Sequence, residues 1–265
     1  MIRRPLLVLA LATAALAAAA TPSYAVVGGN DAEPGEYPAV AQVSYLAWNC
    51  TGTLISPDTV LTAGHCSSID LGTVGTPVTW PAQSIQVRVG SYRDGDGESV
   101  PVRSVVGHLN YLATKGYDIS ILKLARNSTK PPVRVAGAGE RSIWSAGSIA
   151  SVAGWGVLED GGTAGPDTLQ EADVPILTDE YCGSAYSDFD PKTMVCAGYA
   201  EGGIDTCQGD SGGPLFGHAG DGLRVVGSTS FGDGCARPGK PGVYARVADT
   251  TLREWIRGQD PDGVN

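Results

Sequence analysis

Short runs of Val, Ile and Leu, alternating with polar residues or clustered between turn formers, recur along most of the chain: "VTWPAQSIQVRVG", "ISILKLA", "SIASVAGWG" and "LRVVGSTSFG". Alternation with a period of two places the apolar side chains on one face of a strand, and the clustered runs are short enough to be buried strands. The 37 glycines and 17 prolines supply the turns between them. Amphipathic helical spacing is convincing only in "TLREWIRG", close to the C-terminus. The pattern predicts an all-β chain with one short C-terminal helix. There is no internal repeat and no low-complexity linker, and "TKPPVRVAGAGERS" is the best connection between two halves.

One run breaks the rule. "MIRRPLLVLALATAALAAAATPSYA" has two arginines, an uncharged Leu/Ala stretch and then small residues, the order of a secretory signal peptide. From Leu6 to Ala20 it is too short to cross a bilayer comfortably, and no later apolar run approaches the length of a span. Cleavage fits after Ala20 or after Ala25; the second would expose Val26 of "VVGG", which could otherwise be a strand entering a glycine turn. The expectation is a soluble, secreted, extracellular protein without a membrane partner. Residues 26–265 suffice for one large or two small domains.

Net charge is −10, and loss of Arg3 and Arg4 with the leader makes it more negative. Nucleic acid is thereby excluded as a partner, while cationic substrates are modestly favoured. All six cysteines, Cys50, Cys66, Cys182, Cys196, Cys207 and Cys235, lie in the exported part. An even number in an oxidising compartment, without the CxxC pairs of zinc sites, favours three disulfides over metal binding; spacing alone leaves the pairing open.

The candidate chemistry begins with "DTCQGDSGGP", residues 205–214. A serine hydroxyl needs a base within hydrogen-bond reach and a third group to orient that base. "GDSGG" fits the nucleophile-elbow pattern, but the only later histidine is His218, and "GGPLF" continues as a strand where a helix should start. An order beginning with aspartate would have to use Asp31 or Asp58, neither in a telling setting. The order His, Asp, Ser remains. His65 ends the run "LISPDTVLTAGHC" and Asp118 enters the strand of "GYDISILKL", where burying a carboxylate is costly unless something such as an imidazole N–H bonds to it. Singly, these are an ordinary histidine after glycine and an ordinary turn aspartate. Beside "GDSGGP" they read as a proton relay.

"VVGG", "LTAGHC", "YDISILKL", "AGWG", "DTCQGDSGGP" and "GCARPGKPGVYARV" occur in the order found in trypsin-like serine proteases of the chymotrypsin family. The chain resembles these proteins, secreted bacterial trypsins in particular, from Val26 to about Ile256. The resemblance implies two antiparallel Greek-key β-barrels with the active site in the cleft between them, residues 26–136 forming the first and 137–265 the second plus the C-terminal helix. Together they would be one peptidase domain behind a leader of residues 1–25, or 1–20 followed by a propeptide 21–25.

It further implies His65, Asp118 and Ser211 as the catalytic triad, and the backbone N–H groups of Gly209 and Ser211 as the oxyanion hole. Asp205 would lie at the base of a specificity pocket for Arg or Lys, with Gly232 and Gly242 leaving its walls open. Ser230 would hold Asp118 and begin the stretch lining the substrate backbone, and Asp210 would pair with the α-ammonium of Val26. The implied disulfides are Cys50–Cys66, Cys182–Cys196 and Cys207–Cys235. The expected partners are polypeptides with Arg or Lys at the cleaved position and protein protease inhibitors; the expected state is a monomer with no cofactor and no metal. Several features depart from the family's pattern: Tyr24-Ala25 precede Val26 where animal trypsins carry a basic residue, "SSIDLGTVGTPVTWPAQS" reads as a local insertion, Phe231 stands where tryptophan is usual, and the acidic turn at Asp94, Asp96 and Glu98 is short and starts with Ser91. A glycine-rich turn is the better reading there than a calcium site. The rival function is a catalytically silent, protease-like binding module.

Overall fold

The structure, a computed structural model, describes residues 26–69 and 77–265. The leader, with both cleavage points, and the middle of the segment between Ser67 and Ser84 lie outside the described residues. The strands are β1 (Asn30–Asp31), β2 (Val40–Tyr45), β3 (Trp48–Ser56), β4 (Thr59–Thr62), β5 (Ser68–Ile69), β6 (Val78–Thr79), β7 (Ile85–Val89), β8 (Glu98–Gly107) and β9 (Ser120–Leu124). They are followed by β10 (Ile149–Gly154), β11 (Gln170–Pro175), helix α1 (Asp179–Ala185), β12 (Met194–Ala197), β13 (Pro214–Ala219), β14 (Gly222–Phe231), β15 (Gly242–Ala245) and helix α2 (Thr250–Gln259).

Strands β2-β3-β4-β9-β8-β7 close an antiparallel barrel. Strand β7 shows why: Ile85, Val87 and Val89 are buried while Gln86 and Arg88 are not, so one face fills the barrel with Val43, Leu54, Val60 and Leu122. The second sheet runs β1-β11-β10-β13-β14-β15-β12. Its ends curl together, because Leu177 N–H donates to Cys196 O at 3.0 Å and Gly198 N–H to Pro175 O at 3.0 Å. Val152, Val174, Leu215, Val226 and Tyr244 fill it. A third cluster joins the two bodies: Val40, Leu61 and Ile121 of the first pack with Phe216, Val225, Leu252 and Ile256 of the second.

The chain ends cross-brace this pair. β1 precedes the first barrel in sequence yet is bonded to the second sheet, Asn30 opposite Glu171 and Asp31 opposite Gln170. At the other end, Val135 N–H donates to Gly263 O at 2.8 Å. Helix α2 forms where the pattern predicts it, and its Leu252 and Ile256, four apart, face the core. Helix α1 was not expected. Its signal is local: the Thr178 hydroxyl accepts from Tyr181 N–H at 3.1 Å, and Asp179 and Glu180 occupy the first turn. All three disulfides join the pairs that the resemblance implies, Cys50–Cys66, Cys182–Cys196 and Cys207–Cys235.

Candidate active site

β4 ends in a short 3-10 turn, Gly64–Cys66, that carries His65, and β9 begins just after Asp118. Since β4 and β9 are neighbours in the barrel, with Thr62 opposite Ser120, their two ends meet at one rim. There the Asp118 carboxylate accepts from His65 N–H at 2.9 Å through Oδ1, and its Oδ2 lies 2.8 Å from His65 Nδ1. The Ser230 hydroxyl, from β14 of the second sheet, donates to the same Oδ2 at 2.6 Å. The buried charge therefore has three donors, as burial of a carboxylate requires.

Burial pulls the His65 imidazole toward its neutral form, but the charge of Asp118 and the hydrogen bond to it outweigh this, and the net shift of its pKa is upward. With Nδ1 engaged by Asp118, Nε2 is the nitrogen left to act as a base.

Ser211 comes from the loop before β13. Its backbone carbonyl accepts from Thr51 N–H at 2.8 Å and lies 3.5 Å from Cys66 Sγ, which joins the serine to the turn of His65. Among the described residues no hydrogen bond links Ser211 Oγ to the His65 ring. Such contacts commonly tighten only once substrate is bound.

The backbone around Ser211 has a distinctive pattern of donors. The N–H groups of Asp210, Gly212 and Gly213 go to Cys207 O, Thr229 O and Asp210 O. Among the described residues, those of Gly209 and Ser211 go to no protein acceptor. Gly209 has φ +106°, where a side chain would be strained, and its carbonyl is held by the Thr51 hydroxyl at 2.9 Å. These two donors, on either side of Asp210, are left to receive an acceptor from outside the chain.

Asp205 is 2% exposed, in a cavity that Ser211, Ser230, Phe231, Gly232 and Gly242 also line. Its Oδ1 accepts from Thr206 N–H at 2.8 Å and its Oδ2 from Ala236 N–H at 3.1 Å. Burial pushes the carboxyl up to about 7, although those N–H groups oppose the shift. A Cβ at Gly242 would stand 2.5 Å from Asp205 Oδ1, so glycine is needed there for the carboxylate to face the cavity.

The neighbouring acid is separate. Asp210 is buried, accepts from Gly156 N–H at 2.8 Å and Cys207 N–H at 2.9 Å, and is pushed up to about 6 by burial. Val26 lies in the core of the same sheet, fully buried at φ +53°.

The remaining candidates fall elsewhere. His218, on β13, bonds to Ser151 Oγ at 2.8 Å, away from the strand's Ser211 end, and the element that follows Ser211 is strand β13 rather than a helix, so the elbow reading has no structural counterpart. His108 stacks on Tyr117 at 4.5 Å. Cys50, His65 and Cys66 cluster, but both sulfurs belong to one disulfide. In the acidic turn, Glu98 is taken by Arg126, Ser128 and Thr129, and Asp94 by the Gln42 amide at 2.8 Å. Sequence reasoning missed Thr51 and Ala236, whose contacts with Gly209 and Asp205 join distant segments without a local signature, and Thr206, whose N–H bonds to the adjacent Asp205.

Two barrel-like sheets meeting at a His–Asp pair, with a serine and paired free donors beside it, define a serine endopeptidase. A family model described as Trypsin matches residues 26–256, and the chain belongs to that family. It is 41% identical over 229 residues to a trypsin of Saccharopolyspora erythraea, covering 84% of this chain and 93% of that protein. A trypsin-like protease of Streptomyces glaucescens is 37% identical over 244 residues, with 90% and 85% covered. An anionic trypsin of Canis lupus familiaris is 34% identical over 259 residues, with 96% of each covered.

Proposed function

We propose that the protein is a secreted endopeptidase that cleaves polypeptides after Arg or Lys through a Ser-His-Asp acyl-enzyme mechanism. The observation that carries this reading is one cavity lined by both Asp205 and Ser211. A long cationic side chain reaching a buried anion would hold its own carbonyl at the serine. Ser211 Oγ attacks that carbonyl as His65 Nε2 takes its proton; Asp118 holds the ring's tautomer and stabilises the imidazolium. The N–H groups of Gly209 and Ser211 receive the oxyanion, a contribution worth roughly 10²–10³-fold in kcat per donor. His65 then protonates the leaving amine, and water, activated by the same ring, releases the acid.

The mature chain begins at Val26, after a leader comprising residues 1–25. In the full chain the Val26 nitrogen is an uncharged amide, and φ +53° is a strained conformation for a β-branched residue. Cleavage after Ala25 removes that torsion and creates an ammonium that can neutralise the buried Asp210. Breaking such a pair leaves an uncompensated charge, so processing acts as a switch. No helix among the described residues is long and apolar enough to cross a membrane.

Hydrolysis of an Arg ester against a Phe ester, with Ser211→Ala as control, tests the reading. Arg-selective hydrolysis abolished by the substitution is expected. A correctly processed but inactive protein would establish the binding module instead.

A further inference from the structure

An exposed cation, Lys115, stands over Phe231, one of the residues that line the cavity of Asp205 and Ser211. β14 outruns its neighbour β13: their last pairing is Pro214 with Ser228, so Ser230 and Phe231, which line the cavity, lie beyond it with β15 alone as a strand neighbour at Phe231. Lys115 Nζ stands 4.8 Å from the centroid of the Phe231 ring. The same ammonium is 2.9 Å from Asp188 Oδ2, and both side chains are well exposed, 63% and 48%. Lys115 is held in place from below. It opens the 3-10 turn Lys115–Tyr117 that leads into Asp118, and the next residue, Gly116, is seated so closely on Thr193 that a Cβ would come within 2.0 Å of its hydroxyl.

An ammonium has three donors. One serves Asp188, and the exposure of the pair leaves the others to solvent. A carboxylate carried over the Phe231 ring can take one of them without displacing Asp188. A large apolar side chain arriving at the same place would have to strip water from the ammonium. We propose that Lys115, above Phe231, is a specificity-determining residue that selects an acidic side chain in the segment preceding the cleaved Arg or Lys. This rests on the Arg/Lys reading above. Recognition is then bipolar: a cation for Asp205 and, just upstream of it, an anion for Lys115.

The test uses the processed enzyme at low salt and peptides with Arg at the cleaved position. Each of the preceding three positions carries Glu, Gln or Leu in turn. At one of them Glu should exceed Gln by roughly two- to five-fold in kcat/KM, the range that an exposed ion pair supplies, and the preference should fade with salt. The gain should be in KM with kcat unchanged, since the contact is remote from the reacting bond. Lys115→Met, which keeps the stem and removes the charge, should bring the Glu/Gln ratio to about one and raise the Leu/Gln ratio. Asp188→Asn should raise the Glu/Gln ratio by freeing the ammonium. A Glu/Gln ratio near one at every position, or a ratio that Lys115→Met leaves intact, overturns the proposal, as does a ratio that Asp188→Asn also brings to one. Failure to cleave any Arg peptide would overturn the Arg/Lys reading beneath it.

Discussion

At the scale of single residues, neighbouring charge decides what each acid and base does. His65 must be neutral to accept a proton, and Asp118 raises its pKa above the ordinary imidazole value of about 6.5. The acid limb of kcat/KM should therefore fall at a pH above that value. Asp118→Asn should move the limb lower and reduce kcat by roughly 10⁴-fold through loss of the correct tautomer; a pH–rate profile of both proteins checks this. Asp205 has the converse problem, a carboxylate without a cation. On the proposed reading an Arg side chain completes the pair, so Asp205→Asn should lower kcat/KM for Arg substrates by about 10²–10⁴-fold, as expected when a buried charge loses its partner at about 3–5 kcal/mol. Equal loss on a Phe substrate would place Asp205 outside recognition.

At the scale of elements, the site is assembled from strand ends and braced by covalent links. Cys50 on β3 is bonded to Cys66 beside His65 across a separation of 16 residues, for which chain entropy gives roughly 3 kcal/mol. Replacing both by Ala should lower stability by about that amount in a denaturant titration. Activity should fall further than stability does, because the His65 turn loses its anchor. Most strands were legible from alternation, as in "IQVRV", and α2 from its apolar spacing. Helix α1 was not, since seven residues are too few for periodicity to register, and only its Thr178 cap and acidic first turn announce it. The placement of β1 in the second sheet was equally hidden, because pairing over 139 residues, from Asp31 to Gln170, leaves no local trace.

At the scale of the whole molecule, two sets of carboxylates act oppositely on stability. Burial works against the charge of Glu98 and Glu140, but Arg126 and Arg134 with other donors outweigh it and hold both at about 2. Their contribution is complete above the unfolded value of about 4.5 and is lost as pH falls toward 2. Asp205 and Asp210 are raised to about 7 and about 6, so ionising them in the unprocessed chain costs stability as pH rises from about 4 to 7. Calorimetry of unprocessed Ser211→Ala protein should give a higher Tm near pH 5 than near pH 8 or pH 3. Processing at Val26 should narrow the difference between pH 5 and pH 8, since Asp210 then has a counterion. What the sequence determined by itself was the β class, the order in which His65, Asp118 and Ser211 follow one another, and the two acids just upstream of the serine, because these reside in residue type and local pattern. Only the tertiary structure decided which donors stay unbonded at Gly209 and Ser211, which carboxylates lose their water, and where Lys115 stands over Phe231. Those outcomes depend on distances between segments far apart in the chain, and folding alone sets such distances.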